Sequence, residues 1–462
     1  MRHKSDPFSH ALNDRTIITD SDLYSDIKEY ESIIEQEEND TLGRYRDLRL
    51  SSAFQPIFSP SHCRVIGYEG LVRGHDLQGK PVSPKNIFNK SDDPLESLYL
   101  DRLTRLLHVL NFIQKDPGEG LLFLNLSPDV ILHSRQMNFA AYTKSLVERF
   151  GLEPERVVIE ILESAIPDET ALMEVIKHYR DVGFQIAVDD FGAGESNIDR
   201  LWKLSPDIIK LDRSLIFNAR HNAQAKRLLP GLVNLMHQFG GLVLLEGVET
   251  EEEAKIALDA DVDLVQGFIF AKPQPQLLDV TVKKDFFQDL SQQIFEEENH
   301  LSQHHIGWLA THAGQFWEGV EKLQGEEYPT YLFNHPNMLR WYVLDEKGWQ
   351  LGESLQNNQT QSPLAETKHN PLLQGKDSDW SRRPYYRRAV RYPGEVQVTG
   401  PYFSIPDATF CITFSIARAA NDGETRIYCC DFKWQELEGG HSFLISGSMG
   451  PWKRPKQNGN KP

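Results

Sequence analysis

The sequence predicts an α/β protein, a (β/α)8 barrel of the TIM type that a helix joins to a smaller α+β domain. Residues 49–284 alternate short apolar runs with amphipathic helical patterns, which is typical of repeated βα units around a parallel sheet. Residues 285–323 are predicted to form one connecting helix, and residues 324–447 contain runs that alternate with period two. For the larger part, the pattern alone leaves an open doubly wound sheet as the alternative.

Length and charge limit the class of function. A chain of 462 residues predicts two domains with flanking segments. Its formal net charge of −18 argues against a protein that follows a nucleic-acid polymer through bulk electrostatics. Any polyanionic substrate must therefore be held by local arginine, lysine or metal.

The flanks and the cysteines indicate the compartment. Residues 1–48 predict a polar, partly helical leader, and residues 448–462 have the composition of a disordered tail. No run approaches the length of a membrane-spanning helix, so no membrane insertion is expected. The 4 cysteines show neither zinc spacing nor a disulfide framework, and we expect a reduced, cytoplasmic protein.

The barrel prediction depends on apolar runs of strand length. In chain order they are Ser52–Phe58, Val65–Val72, Leu121–Leu126, Val157–Leu162, Gln185–Asp190, Ile208–Leu211, Gly241–Leu245 and Leu264–Phe270. Helical patterns separate most of them. In a barrel of this kind the reactive groups lie at the carboxyl ends of the strands, so the residues there are the candidates for a site.

The pair Asp189-Asp190 ends one of these buried runs. Two adjacent carboxylates repel each other, so they need a cation, a proton or strong hydrogen bonds. Glu69, Asn125 and Glu160 are further oxygen donors at the ends of other runs. Hard oxygen ligands suit Mg²⁺ or Mn²⁺ better than zinc, and two such ions would activate a water and stabilise the leaving oxygen of a phosphodiester.

Three more residues complete the candidate chemistry. Lys210 lies inside an apolar run, where an ammonium must find carboxylates or lose its proton, and it would either orient or deprotonate an attacking water. Glu246 would hold the second ion or assist as a base. Arg73 is placed to take a phosphate oxygen, which suits its planar guanidinium.

Taken together, these residues resemble the EAL-domain cyclic-di-GMP phosphodiesterases over roughly residues 49–275. The motif that names the family is found as Glu69-Gly70-Leu71, followed by Arg73. Its other motifs are, in chain order, Gln55-Pro56-Ile57, Asn125-Leu126-Ser127, Glu160-Ile161-Leu162-Glu163, Asp189-Asp190-Phe191-Gly192, Lys210 with Asp212, Glu246-Gly247-Val248-Glu249 and Gln266-Gly267. Each motif is weak alone, but the combination is specific.

The resemblance implies hydrolysis of cyclic di-GMP to linear pGpG by a barrel that binds Mg²⁺ or Mn²⁺, as two ions. It implies metal ligands at Glu69, Asn125, Glu160, Asp189 and Asp190. It implies catalytic roles for Lys210, Glu246 and Glu163, the last of which anchors the loop after the fifth strand. It implies substrate contacts at Gln55, Leu71, Arg73, Asp212 and Gln266, and a supporting role for Glu249.

Two departures from the family pattern leave alternatives open. Gly70 stands where the family usually has alanine, from which we expect only a packing effect. Residues 195–197 replace the family's usual pattern in a loop that couples dimer contacts to the metal site, which bears on turnover and regulation. The alternatives are a cyclic-di-GMP receptor without catalysis and a general phosphodiesterase acting on other nucleotides.

The second domain resembles a PAS/Cache-type sensor. The resemblance rests on Tyr342–Gly348, Asp379–Tyr386 and Gly400–Ser404, and a barrel followed by such a module is similar to the YkuI-like arrangement. Arg382, Arg383 and Tyr385 either line a pocket for a small carboxylate or belong to an ordinary loop with a salt bridge. We expect a homodimer with a small-molecule ligand at this domain.

Overall fold

The computed structural model describes residues 33–37, 39–88, 94–115, 117–127, 139–162, 169–194, 198–323, 328–357, 375–404 and 409–434. The chain divides into two compact units, Met1–Ser291 and Gln292–Pro462. The predicted connecting helix is observed as Lys284–Glu321. None of the helices in the described ranges combines the length and the apolar composition needed to cross a bilayer.

The first unit contains one continuous sheet. Its strands are β1 (Ile34–Glu37), β2 (Asp40–Tyr45), β3 (Leu48–Ser59), β4 (Arg64–Asp76), β5 (Pro81–Val82), β6 (Leu121–Leu126), β7 (Val157–Leu162), β8 (Gln185–Phe191), β9 (Ile208–Leu211), β10 (Leu242–Leu245) and β11 (Leu264–Val265). The sheet runs β1-β2-β3-β11-β10-β9-β8-β7-β6-β4-β5, and an additional pairing of β3 with β4 closes it. The predicted eight-stranded barrel is therefore confirmed, formed by β3, β4 and β6 to β11.

One strand of the barrel departs from the parallel arrangement. Strand β3 is antiparallel to both of its neighbours, β4 and β11, whereas the remaining pairs around the barrel are parallel. The cause is a tight turn between β3 and β4, in which Cys63 N–H donates to the Pro60 carbonyl at 3.1 Å. Such a turn joins antiparallel strands only, because a parallel pair needs a long crossover.

The predicted leader over residues 1–48 is wrong for its last part. Strands β1 and β2 lie there and extend the barrel's sheet beyond β3. Thr41, on β2, donates its N–H to Asn111 Oδ1 at 2.7 Å and accepts from Asn111 Nδ2 at 2.8 Å. Because this segment is polar in composition, the sequence did not predict strand β2, in which the alternate residues Thr41, Gly43 and Tyr45 are buried. The predicted disordered tail lies outside the described residues.

Helices surround the barrel, and side chains fill it. The helices of the first unit are Pro84–Phe88, Pro94–Gln114, Phe139–Arg149, Glu169–Asp181, Ile198–Leu204, Arg213–His221, Ala223–Gln238 and Glu251–Asp259. A cluster of buried residues from seven strands packs the interior: Ile57, Phe123, Val158, Ala187, Ile208, Leu244 and Leu264. The barrel is therefore a packed core, and a ligand must bind at its end.

The second unit contains an antiparallel sheet of five strands. They are β12 (Met338–Leu344), β13 (Gln350–Gln356), β14 (Gln397–Ser404), β15 (Thr409–Ala419) and β16 (Thr425–Lys433), in the order β13-β12-β16-β15-β14. Residues of the long helix, such as Phe316, pack on one face, and Tyr385 and Ala389 of helix Pro384–Arg391 pack on the other. This confirms an α+β second domain, while its PAS/Cache-type assignment stays a prediction.

Candidate active site

The candidate residues of β4 share one side of that strand. Residues at alternate positions of a strand point to the same face, so Glu69, Leu71 and Arg73 point together. Gly70 points the other way, because a Cβ built on it would lie 2.9 Å from Cγ of His108 on helix Pro94–Gln114. The helix covers the outside of the barrel, so Glu69, Leu71 and Arg73 face its interior and mouth.

Lys210 on β9 lies at the centre of an acidic cluster. Its Nζ is 2.6 Å from Glu160 Oε1, 2.6 Å from Glu246 Oε1 and 3.0 Å from Asp189 Oδ1. The side chains of Lys210 and Glu160 are 1% and 0% exposed. The sequence left open whether the Lys210 ammonium finds carboxylates or loses its proton. The structure shows the first outcome, because the ammonium contacts three carboxylates.

The cluster contains more negative than positive charge. Burial alone would lower the pKa of Lys210, but the surrounding carboxylates raise that pKa well above its ordinary value. Burial raises the pKa of Glu160, an effect that Lys210 opposes and that Glu69 reinforces. Burial also raises the pKa of Glu246 to about 8, again against the attraction of Lys210. One ammonium therefore does not neutralise the acids around it.

Glu69 is held by two amides. Asn125 Nδ2 donates to Glu69 Oε1 at 3.1 Å, and Gln266 Nε2 donates to Glu69 Oε2 at 2.9 Å. The two amides come from β6 and from the residue after β11, so they fix the carboxylate from both sides. Asn125 presents its nitrogen to Glu69 here, and its amide must turn for the oxygen to face an ion.

The aspartate pair occupies the end of β8 in an unusual backbone conformation. Asp190 has φ +57°, a left-handed value that residues other than glycine seldom adopt. Its N–H donates to Asp189 Oδ1 at 3.0 Å. The turn brings one carboxylate oxygen each of Asp189, Asp190 and Glu246 within 4.8 Å of one another. The pair therefore faces Glu246 together.

These residues fit a divalent cation. Oxygens of three carboxylates at this mutual distance suit a small hard ion. Glu160 Oε2 is buried and, among the described residues, accepts no hydrogen bond. Buried carboxylate oxygens normally have a partner, and an ion beside the cluster would provide one and would offset the surplus of negative charge.

Hydrogen bonds of Asp212 and Glu249 hold the loops after β9 and β10. Asp212 accepts from Ser214 N–H at 2.9 Å through Oδ1 and caps helix Arg213–His221. Glu249 Oε2 accepts from Arg213 Nη2 at 2.8 Å. Gly247 between them has φ +65°, and a Cβ there would lie 2.4 Å from Arg213 Cγ. The hydrogen bond from Arg213 is thus a contact through which Glu249 could play its predicted supporting role.

The predicted substrate contacts border the cluster on the β3–β4 hairpin. Gln55 is the cross-strand partner of Glu69. Gln55, Leu71 and Arg73 are all half-buried. Burial lowers the pKa of Arg73, and Glu69 opposes this. An arginine held close to the acidic cluster can offer its N–H groups to an anion at the barrel mouth.

One group behind the site was not predicted. His108 packs against Gly70 and lies 2.8 Å through Nδ1 from Ser52 Oγ, to which Asn111 Nδ2 donates at 3.3 Å. The packing effect expected of Gly70 is therefore the space it leaves for His108. No sequence signal separates His108 from a surface histidine. Glu163 and residues 195–197 lie outside the described residues.

Comparison with known proteins places the barrel in a family. A family model described as "EAL domain" matches residues 39–273. A probable cyclic di-GMP phosphodiesterase, PdeN of Escherichia coli strain K12, is 26% identical over 231 residues, which is 48% of this chain and 43% of PdeN. The chain spans only 32%, 43% and 23% of the lengths of three curated relatives that it matches.

The similarity to one relative extends beyond the barrel. An uncharacterized EAL-domain containing protein, YkuI of Bacillus subtilis strain 168, is 25% identical over 349 residues, covering 72% of this chain and 82% of YkuI. A crystal structure of YkuI in complex with substrate c-di-GMP and calcium superposes with a TM-score of 0.69 at 23% identity, covering 84% of this chain and 97% of that chain. This likeness shows a shared fold.

Proposed function

Because this chain belongs to the EAL domain family, we propose that its barrel hydrolyses cyclic di-GMP to linear pGpG with the help of divalent cations. One observation carries the proposal. Carboxylates from β4, β7, β8 and the end of β10 converge with Lys210 at one end of the barrel. These residues are far apart in sequence, and a set of this kind can hold the metal ions that assist the hydrolysis of a phosphodiester.

The residues that would hold the ions are proposed in two groups. Asp189, Asp190 and Glu246 offer oxygens within 4.8 Å of one another. Glu69, Asn125 and Glu160 lie on neighbouring strands and complete the set. Two divalent cations, Mg²⁺ or Mn²⁺, supply Lewis-acid chemistry when bound, which lowers the pKa of water and screens the phosphate.

The protein's own groups perform the remaining work in this proposal. Lys210 Nζ keeps the carboxylates of Glu160, Asp189 and Glu246 aligned with its three N–H groups, and it orients the attacking water when that water replaces one of these carboxylates as acceptor. Glu246 is 22% exposed at the mouth, and it takes up the proton of that water at a carboxylate oxygen. Arg73 donates to a nonbridging phosphate oxygen, and Gln55 contacts the same dinucleotide.

The test is direct. We would incubate the purified full chain with cyclic di-GMP and Mg²⁺ or Mn²⁺ and detect linear pGpG by chromatography. Glu69→Ala and Asp189→Ala are expected to abolish product release while Mg²⁺ is present. Retained turnover in both variants would contradict the metal assignment, and binding without turnover by the parent chain would favour a cyclic-di-GMP receptor.

The proposal includes a homodimer, supported by exposed apolar side chains on the helices after β8 and β9. Trp202, Leu228 and Phe217 are 72%, 63% and 50% exposed. A contact with a second copy of the chain would remove exposed apolar groups of this size from water. Sedimentation of the parent chain and of Trp202→Glu tests this, since only the variant is expected to sediment as a monomer.

A further inference from the structure

The second unit contains a cavity that the barrel chemistry does not use. It has a volume of about 700 Å³ and lies between the end of helix Lys284–Glu321, strands β12 and β13 and the β15–β16 turn. All of its lining residues belong to the second unit. A cavity of this volume is large enough to enclose a small organic molecule.

An aromatic wall forms one side of the cavity. The rings of Trp341 and Tyr428 have centroids 6.0 Å apart and an interplanar angle of 38°. Val343 and Leu355 line the cavity beside them. The indole Nε1–H of Trp341 is buried and, in the part of the chain described, has no acceptor. A buried donor without an acceptor is uncommon, and a ligand oxygen in the cavity would supply one.

Two arginines lie next to this wall, since Arg426 precedes Tyr428 by two residues on the same face of β16. Arg418 and Arg426 are cross-strand partners on β15 and β16, where like charges repel each other. Within the described ranges each has one carboxylate partner, Glu321 for Arg418 and Asp422 for Arg426. A guanidinium carries five N–H donors, so one such partner leaves donors over. Arg426 Nε is itself buried without an acceptor among the described residues.

The geometry points to a binding site for a small monocarboxylate with an aromatic or apolar body. The body packs on Trp341 and Tyr428, and the carboxylate accepts from Trp341 Nε1–H and from the guanidinium of Arg426. Glu321, Glu353 and Asp422 also line the cavity, and their negative charge opposes a doubly charged phosphate more strongly than a single carboxylate. The inference does not depend on the proposed hydrolase activity.

This site differs from the one that the sequence suggested. Arg382 and Arg383 are exposed, and the guanidinium of Arg383 lies 5.7 Å from the ring centroid of Trp380. Tyr385 is 4% exposed in the apolar cluster on the opposite face of the sheet. None of these three residues lines the cavity, so the carboxylate is assigned to Arg426 instead.

The probe for the test is 1-anilinonaphthalene-8-sulfonate, an aromatic monoanion that fluoresces in apolar sites. We expect saturable, one-site binding to the full chain, with displacement by benzoate and much weaker displacement by uncharged benzamide. Trp341→Phe keeps an aromatic ring and removes the N–H, and Arg426→Gln removes the charge. Each is expected to weaken binding about tenfold, the size of a lost charge-assisted hydrogen bond.

Matched controls separate a site from general stickiness. Arg382→Gln removes an exposed arginine outside the cavity and should leave binding unchanged. Glu69→Ala should also bind the probe as the parent does, which distinguishes this inference from the barrel's chemistry. Arg426→Gln leaves Asp422, which is 46% exposed, in water, so circular dichroism should show an intact fold. Equal affinity in the parent, Trp341→Phe and Arg426→Gln, or binding that does not saturate, overturns the proposal.

Discussion

The two units each bury a polar cluster inside their sheets, and the clusters differ in charge balance. In the barrel, Lys210 faces the carboxylates of Glu160, Asp189 and Glu246 at 2.6–3.0 Å. In the second unit, Asp431 is 2% exposed, and among the described residues its ion pair is with Arg340, whose Nε lies 3.1 Å from Oδ2. A buried ion pair with matched charges carries no net charge, whereas surplus carboxylates call for a further cation.

Hydrogen bonding separates the two clusters in the same way. Asp431 Oδ1 accepts from Thr413 Oγ1 at 2.7 Å and from the Tyr342 hydroxyl at 3.3 Å. Glu160 Oε2 accepts no hydrogen bond in the described ranges. A balanced, hydrogen-bonded cluster stabilises the fold, and an unbalanced one is prepared for a ligand. Surplus buried charge, rather than buried charge as such, marks the functional cluster.

The largest expected effect is on turnover. Asp189→Asn removes one acidic ligand and should lower the rate of pGpG release about a thousandfold, since a bound metal contributes several kcal/mol to the transition state. Asp263→Asn is the matched control at the opposite end of the barrel, where Asp263 Oδ2 accepts from Val243 N–H at 2.7 Å. Similar losses in both variants would show that the position of the carboxylate is immaterial.

The same carboxyl-to-amide change should have different consequences for stability in the two clusters. Asp431→Asn removes the buried charge that Arg340 Nε contacts at 3.1 Å and should lower the free energy of unfolding of the second unit by about 3 kcal/mol. Glu160→Gln removes surplus charge and should cost little or stabilise the barrel when EDTA is present. Urea unfolding of the full chain measures both, and equal losses would refute the distinction.

Metal removal sharpens the comparison. A divalent cation that binds only the folded barrel, at a hundred times its dissociation constant, should stabilise it by about 2.7 kcal/mol. In calorimetry, Mn²⁺ is expected to raise the midpoint temperature of the barrel's unfolding transition, and excess EDTA is expected to return it to its starting value. The midpoint of the second unit's transition should not change. The shift should shrink in Asp190→Asn. A shift shared equally by both transitions would indicate nonspecific binding.

The barrel and most of its site could be predicted because both depend on local pattern. Apolar runs such as Val157–Leu162 are buried on both faces of the strand, and parallel strands end at the same side of a barrel. The convergence of Glu160, Asp189 and Lys210 can therefore be predicted without knowledge of any long-range contact.

Features that depend on long-range contacts could not be predicted. The reversed direction of β3 follows from a turn that the pattern does not distinguish from a longer connection. Strands β1 and β2 are polar in composition. Alternate residues of β2 are buried because a distant helix packs there, with Asn111 bound to Thr41 and Leu107 against Gly43. The amide orientation of Asn125 and the left-handed Asp190 are likewise set by neighbours in space.

The smallest predicted effect concerns the buried histidine of the barrel. Burial lowers the pKa of His108 to about 3, and Arg73 adds to the shift. The unfolded chain binds a proton at this residue near pH 6.5, so the stabilisation is present above that pH and is lost as pH falls toward 3. Between pH 7 and pH 5 the barrel should lose about 2 kcal/mol from this group.

His108→Gln should flatten that dependence in the barrel transition alone. In the second unit His312 Nε2 lies 3.0 Å from His335 Nε2, and burial lowers the pKa of both rings. The second transition should therefore remain sensitive to acid in the variant. Thermal unfolding at pH 7, 6 and 5 checks this, and an unchanged barrel slope in His108→Gln would show that other groups set it. A flattened barrel slope would instead assign the acid sensitivity of the barrel to His108, whose ring packs against Gly70 on the back of the strand that carries Glu69.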